Sequence, residues 1–140
     1  MPKLKIAPSL LSSDFSRLGE EIHAVIEAGA DWIHLDIMDG HFAPNLTIGP
    51  PVVSALRRHS TVPMDVHLML DNPEEFVDDF ANAGADIITF HAEASRHPHR
   101  LLTRIRDLGC KAGVVLNPGT PPDDIEFLAD SVDLVLIMTV

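Results

Sequence analysis

Three side chains in this sequence could close on a single divalent cation. His34 and Asp36 stand two apart within Asp31–Gly40, D-W-I-H-L-D-I-M-D-G, and His67 stands within Asp65–Leu70, D-V-H-L-M-L. In the first stretch Ile33, Leu35 and Ile37 alternate with His34, Asp36 and Met38, and in the second Val66, Leu68 and Leu70 alternate with Asp65, His67 and Met69. Successive side chains of a strand leave opposite faces, so each stretch predicts a strand with one apolar face and one face carrying chemistry. Paired strands lie about 4.8 Å apart, or about twice that with one between, and either spacing lets two imidazoles and a carboxylate converge. On spacing alone, a buried His–carboxylate pair with a purely structural role accounts for H-x-D as well as a ligand set does.

Other residues invite chemistry less strongly. His91, His97 and His99 raise the idea of a second metal, but His97 and His99 flank Pro98 at a helix start, where a solvated turn accounts for them. Lys111 has the side chain for a Schiff base, yet it begins its strand, the wrong end of a parallel barrel for catalysis. Asp39 follows its strand and is placed to orient the next loop. Asp78, Asp79, Asp123 and Asp124 read as solvated helix charges.

The elements that must position these groups follow from periodicity and punctuation. Leu4–Leu11 predicts a strand broken by Pro8, and Phe15, Leu18, Ile22, Val25 and Ile26 predict a helix ending at Gly29. After the Asp31–Asp39 strand and a loop over Gly40–Pro50, the same logic gives helix Pro51–Arg58, strand Val62–Leu70 and a helix opened by Asn72-Pro73 and closed by Gly84. Strand Ala85–His91, helix Pro98–Leu108, strand Lys111–Leu116, helix Pro122–Ala129 and strand Val132–Val140 complete the order. A-G-A-D-W-I at Ala28–Ile33 echoes A-G-A-D-I-I at Ala83–Ile88, one helix-to-strand joint used twice. Such alternation makes a parallel sheet covered by helices. Ser9, Asp36, Met38, His67, Met69 and Asn117 fall late in their strands, and Ala7–Ser13 has no glycine, which favours a barrel over a doubly wound sheet.

With 140 residues, 46% of them hydrophobic, the chain can bury a core and is short for two domains. A net charge of -11 offers no basic surface to a nucleic acid or an anionic membrane. The apolar runs are far below the ~20 residues of a membrane helix, and no signal-peptide pattern opens the sequence. The lone Cys110 fits a reducing compartment, so the expected location is the cytoplasm.

Four segments together resemble the ribulose-phosphate 3-epimerase family: A-P-S-L-L-S-S-D-F at Ala7–Phe15, D-W-I-H-L-D-I-M-D-G-H-F-A-P-N-L-T-I-G-P at Asp31–Pro50, D-V-H-L-M at Asp65–Met69 and G-C-K-A-G-V-V-L-N-P-G-T at Gly109–Thr120. The resemblance implies an α/β protein of the TIM (β/α)8 barrel type, with residues 1–140 forming a partial barrel domain of about six strands. It implies an enzyme of the pentose phosphate pathway that interconverts D-ribulose 5-phosphate and D-xylulose 5-phosphate, a small sugar phosphate, with one bound zinc, iron, manganese or cobalt. His34, Asp36 and His67 would be the metal ligands, with Asp36 doubling as the catalytic acid/base. Ser9 and His67 would touch the substrate, and Met38, Met69 and Met138 would wall the reacting carbons, although core packing explains methionines at such spacing equally well. A homo-oligomer is also implied.

The family pattern runs on past the sixth strand, with a Gly-rich phosphate loop and a second aspartate that no residue here matches. The sequence is therefore expected to be a fragment with little turnover of its own. Two other readings remain: a hexulose-phosphate 3-epimerase, and a non-catalytic module that associates through an open sheet edge.

Overall fold

A computed structural model describes residues 3–140. Five strands, β1 (Ile33–Met38), β2 (Met64–Met69), β3 (Ile87–His91), β4 (Lys111–Leu116) and β5 (Leu134–Ile137), pair in parallel and in chain order. Between them run α2 (Pro50–Arg57), α3 (Val77–Asn82), α4 (Pro98–Asp107) and a 3-10 helix over Pro122–Ser131, with α1 (Leu18–Glu27) ahead of β1. A doubly wound sheet reverses its strand order at a switch point, whereas this sheet never reverses; it winds as a barrel does.

The period of two separates the faces as the sequence predicts. Ile33, Leu35, Val66, Leu68, Ile88, Phe90 and Val114 point toward the helices and join Ile22, Val53, Phe80 and Leu102 in one buried cluster. The other face carries the polar set, because the register places His34 beside Asp65, Asp36 beside His67, His67 beside Thr89 and Thr89 beside Gly113. Gly113 is small for a packing reason: a Cβ there would lie 2.8 Å from Thr89 Cγ2 and 2.8 Å from the Leu134 carbonyl oxygen.

The repeated A-G-A-D joint has a physical purpose at both of its ends. Gly29 and Gly84 take positive φ, 101° and 107°, to leave their helices. The aspartate then clamps the start of the preceding segment. Asp31 donates its N–H to the Ile6 carbonyl (2.8 Å) while its Oδ2 accepts from the Ile6 N–H (2.9 Å). Asp86 makes the same pair with Met64 (3.0 and 2.8 Å), and Asp133 makes it with Ala112 (2.7 and 2.8 Å).

Two predicted elements differ. Leu4–Leu11 does not form a strand: five strands stand where six are expected, and this segment contributes one isolated bridge, Ser9 to His34. Pro8 has no N–H to give a ladder, and the Ser9 hydroxyl accepts from the Leu11 N–H, turning the chain into a 3-10 turn at Leu10–Ser12. The predicted Pro122–Ala129 helix is the 3-10 helix over Pro122–Ser131; its inward residues Ile125 and Leu128 are three apart, the 3-10 repeat, and Phe127 is left exposed. Among the described residues, no helix is long and apolar enough to cross a membrane. Cys110 is buried, its thiol pushed up by burial and donating to the Ala85 carbonyl.

Candidate metal centre

β1 supplies His34 and Asp36 from one face, and β2 brings His67 directly opposite Asp36. His34 Nε2 lies 3.3 Å from Asp36 Oδ1, and His67 Nδ1 lies 3.0 Å from the same oxygen. One ligand atom from each residue falls within 4.8 Å of the others. The second Asp36 oxygen, Oδ2, accepts from the Ser9 hydroxyl. On the far side of His34, Nδ1 is 2.8 Å from Asp65 Oδ2, so the ring donates there and turns Nε2 toward Asp36.

These groups are shielded enough for their charges to matter. Burial opposes a charged His34, but its contacts with Asp36 and Asp65 outweigh burial and raise the imidazole to about 9. Burial likewise pushes Asp36 up, and hydrogen bonds from His34, His67 and Ser9 more than reverse this, holding its carboxyl well below the usual range. Buried Asp65 Oδ1 and Thr89 Oγ have no hydrogen-bond partner. Two imidazole nitrogens and an ionised carboxylate oxygen, with one imidazole already oriented by a carboxylate behind it, form a donor set that fits zinc, iron, manganese or cobalt.

The three groups open onto a cleft of about 550 Å³ that Met38, Met69 and Met138 also line. Ser9 meets Asp36 and is not among the residues lining that cleft. The loop after β1 is tied down beside it. Asp39 Oδ1 accepts from the His41 and Phe42 N–H groups, Oδ2 accepts from the Asp71 N–H, and Thr47 Oγ donates to the Asp36 carbonyl at 2.6 Å. Asp39 thus orients the loop as its position suggests. His97 and His99 lie exposed at the start of α4, and Lys111 lies exposed at the opposite end of the sheet.

Sequence reasoning placed Asp65 on the polar face without a partner, weighed His91 only for a second metal and passed over Glu93. His67 Nε2 contacts His91 Nε2 at 2.9 Å, and His91 Nδ1 lies 3.4 Å from Glu93 Oε2. Burial above all, with His67 adding to it, pushes His91 down to about 4. The available signal was the alternation Ile87, Thr89, His91, which puts His91 on the polar face; its link to His67 depends on strand register.

Comparison with known proteins identifies the family of the chain. The sequence model of the ribulose-phosphate 3 epimerase family matches residues 5–140. A ribulose-phosphate 3-epimerase of Synechocystis is 61% identical over 96% of this chain and 60% of its own length. That of Bacillus subtilis is 56% identical over 98% of this chain and 63% of its own, and that of Escherichia coli K12 is 52% identical over 100% and 63%. The chain therefore spans about three fifths of the length of the curated relatives it matches. Among solved structures, the tryptophan synthase alpha chain of Legionella pneumophila aligns with TM-score 0.65 at 16% identity over 99% of this chain and 62% of that one, a likeness of fold alone. With the family's sequence pattern running from residue 5 to residue 140, this chain belongs to the ribulose-phosphate 3 epimerase family.

Proposed function

We propose that this chain carries the metal-binding and proton-abstracting part of a ribulose-phosphate 3-epimerase, acting at C3 of D-ribulose 5-phosphate to give D-xylulose 5-phosphate. The observation behind it is the closure of His34, Asp36 and His67 to within 4.8 Å on one face of a parallel sheet, in a chain of this family. His34 through Nε2, Asp36 through a carboxylate oxygen and His67 through Nδ1 would hold one divalent cation. When bound, that ion supplies Lewis-acid polarisation of a carbonyl.

The chain's own residues do the rest. In the metal-free site His34, His67 and Ser9 keep Asp36 ionised; with a cation in place of the imidazole hydrogens, Ser9 and that positive charge would keep it so, and Asp36 is the carboxylate placed to take the proton from the carbon beside the carbonyl. Ser9 fixes one of its oxygens and would bear on substrate through that carboxylate, while His67 lines the cleft where substrate would meet it. Met38, Met69 and Met138 offer a polarisable apolar wall that excludes water without adding competing donors. Among the described residues, Asp36 is the one carboxylate lining the cleft, so removal of the proton from one face is the half-reaction these residues account for.

In this reading residues 1–140 act as one partial barrel domain, supported by the single sheet and the single apolar cluster. A cytoplasmic location and a homo-oligomeric state belong to it as well, the first supported by a free, buried Cys110. Loading the chain with zinc, iron, manganese or cobalt in deuterium oxide and following the C3 proton of D-ribulose 5-phosphate by NMR tests the chemistry. Exchange that stops on chelation and in Asp36→Asn is the expected result; no exchange with any of the four ions would defeat it. Running a hexulose 6-phosphate in parallel separates the pentulose from the hexulose reading.

A further inference from the structure

His91 is wholly buried, and no described atom makes a well-aligned hydrogen bond to its Nδ1. Its Nε2 is 2.9 Å from His67 Nε2, and two neutral imidazole nitrogens at that distance share one hydrogen: one ring donates and the other accepts. Which ring donates decides whether His67 can hold a cation. If His91 donates, His67 Nε2 has no hydrogen and its proton stays on Nδ1, blocking the lone pair that faces Asp36. If His67 donates, Nδ1 is bare and pointed at the site.

Without a cation, Asp36 at 3.0 Å draws a hydrogen onto His67 Nδ1; once a cation takes that hydrogen's place, Glu93 settles the choice. Its Oε2 stands 3.4 Å from His91 Nδ1, long for a hydrogen bond but close enough for the carboxylate to favour a hydrogen on that nitrogen. The other Glu93 oxygen, Oε1, is fixed by the Asn117 N–H at 2.9 Å and by the Thr120 hydroxyl, both in the loop after β4. Phe42 closes the opposite side, its ring 4.5 Å from the His91 ring. With its hydrogen on Nδ1, His91 presents a bare Nε2 as acceptor.

We propose that His91 is a positioning residue: held by Glu93 with its hydrogen on Nδ1, it accepts from His67 Nε2–H and so fixes His67 in the tautomer whose Nδ1 lone pair faces His34 and Asp36. The inference rests on the metal-site reading above and extends it to a chain of three residues, Glu93, His91 and His67, that reaches from the β4 loop to the ion.

The test is calorimetric zinc titration of the whole chain, with competition against a chelator, alongside long-range 1H–15N NMR of the imidazoles in the zinc-loaded protein. Wild type is expected to bind one zinc and to show His67 with hydrogen on Nε2 and His91 with hydrogen on Nδ1. His91→Phe removes the acceptor and should weaken zinc binding roughly 10- to 100-fold, the usual effect of losing a group that orients a ligand. His91→Gln places an amide oxygen near the lost Nε2 and should recover most of that affinity, which simple loss of packing would not allow. Glu93→Gln, a partly exposed change that spares the core, presents an amide in place of a carboxylate and should weaken zinc binding several-fold; it carries the test should His91→Phe not fold. Zinc affinity unchanged in Glu93→Gln and in a folded His91→Phe, or a zinc-loaded wild type with hydrogen on His91 Nε2, overturns this inference alone. No zinc uptake by wild type overturns the metal-site reading and this inference with it.

Discussion

Carboxylates occupy both ends of this sheet, with opposite partners. At the amino ends of the strands Asp31, Asp86 and Asp133 accept from backbone N–H groups of the neighbouring segment. At the carboxyl ends Asp36 and Glu93 face imidazoles, and Asp65, near the start of β2, faces His34 from within the sheet. A backbone N–H neither titrates nor leaves, so a carboxylate bound to one can only fix geometry. An imidazole exchanges its proton and can take a cation instead, so a carboxylate bound to one keeps a replaceable partner. One end of the sheet is thereby built for stability and the other for chemistry.

The comparison breaks most readily at Asp36. Asp36→Asn should lower the rate of C3 proton exchange by the metal-loaded protein about 10²- to 10⁴-fold, the range for losing an acid/base group. Its metal-free melting midpoint should move far less than the exchange rate, because asparagine keeps an oxygen for the Ser9 hydroxyl and Asp65 still faces His34. A large fall in midpoint would show that the site end is structural too. NMR of C3 exchange in deuterium oxide and differential scanning calorimetry on the same preparation measure both quantities.

Much of this was legible in the residues, and the illegible part has a common cause. Alternation in Ile33–Met38 and Met64–Met69 reveals which side chains share a face, since that depends on a strand alone. The glycine of A-G-A-D could be read as a helix stop, but not the grip of its aspartate on the preceding segment, which needs two strands in register. The pairings of Asp65 with His34 and of His91 with His67 were hidden for the same reason. The first strand misled because its apolar run is real, while Pro8 and the Ser9 hydroxyl divert the backbone.

Metal removal gives the next largest effect. An ion at about 100 times its dissociation constant stabilises the folded chain by about 2.7 kcal/mol, and chelation should lower the melting midpoint by roughly 10 °C. Asp36→Asn should show far less of this shift, and Asp86→Ala should show all of it. Equal shifts in the two variants would place the ion away from the carboxyl ends.

At the other end Asp86→Ala should cost about 1–2 kcal/mol in urea denaturation, because the Met64 N–H loses its acceptor and Arg57 loses its 2.6 Å partner. Metal affinity should be unchanged. A variant of normal stability would mean that water replaces the carboxylate, and the clamp would then matter for strand register alone.

The smallest effect concerns pH and separates the two kinds of carboxylate most sharply. The Ala112 N–H, with the Arg106 guanidinium, holds Asp133 below the usual carboxylate value. A folded-state value below the unfolded one of about 3.9 means that the stabilisation is fully present above that pH and is lost as pH falls through the folded value. Asp133→Asn keeps an oxygen for the Ala112 N–H but cannot titrate. The stability gap between wild type and Asp133→Asn should therefore be small at pH 6 and smaller still at about pH 3, with Asp36 cancelling because it is present in both proteins. Urea midpoints at the two pH values measure the gap. A gap that persists unchanged would mean that the Asp133 charge contributes nothing beyond the hydrogen bond, leaving the amino-end clamps purely geometric.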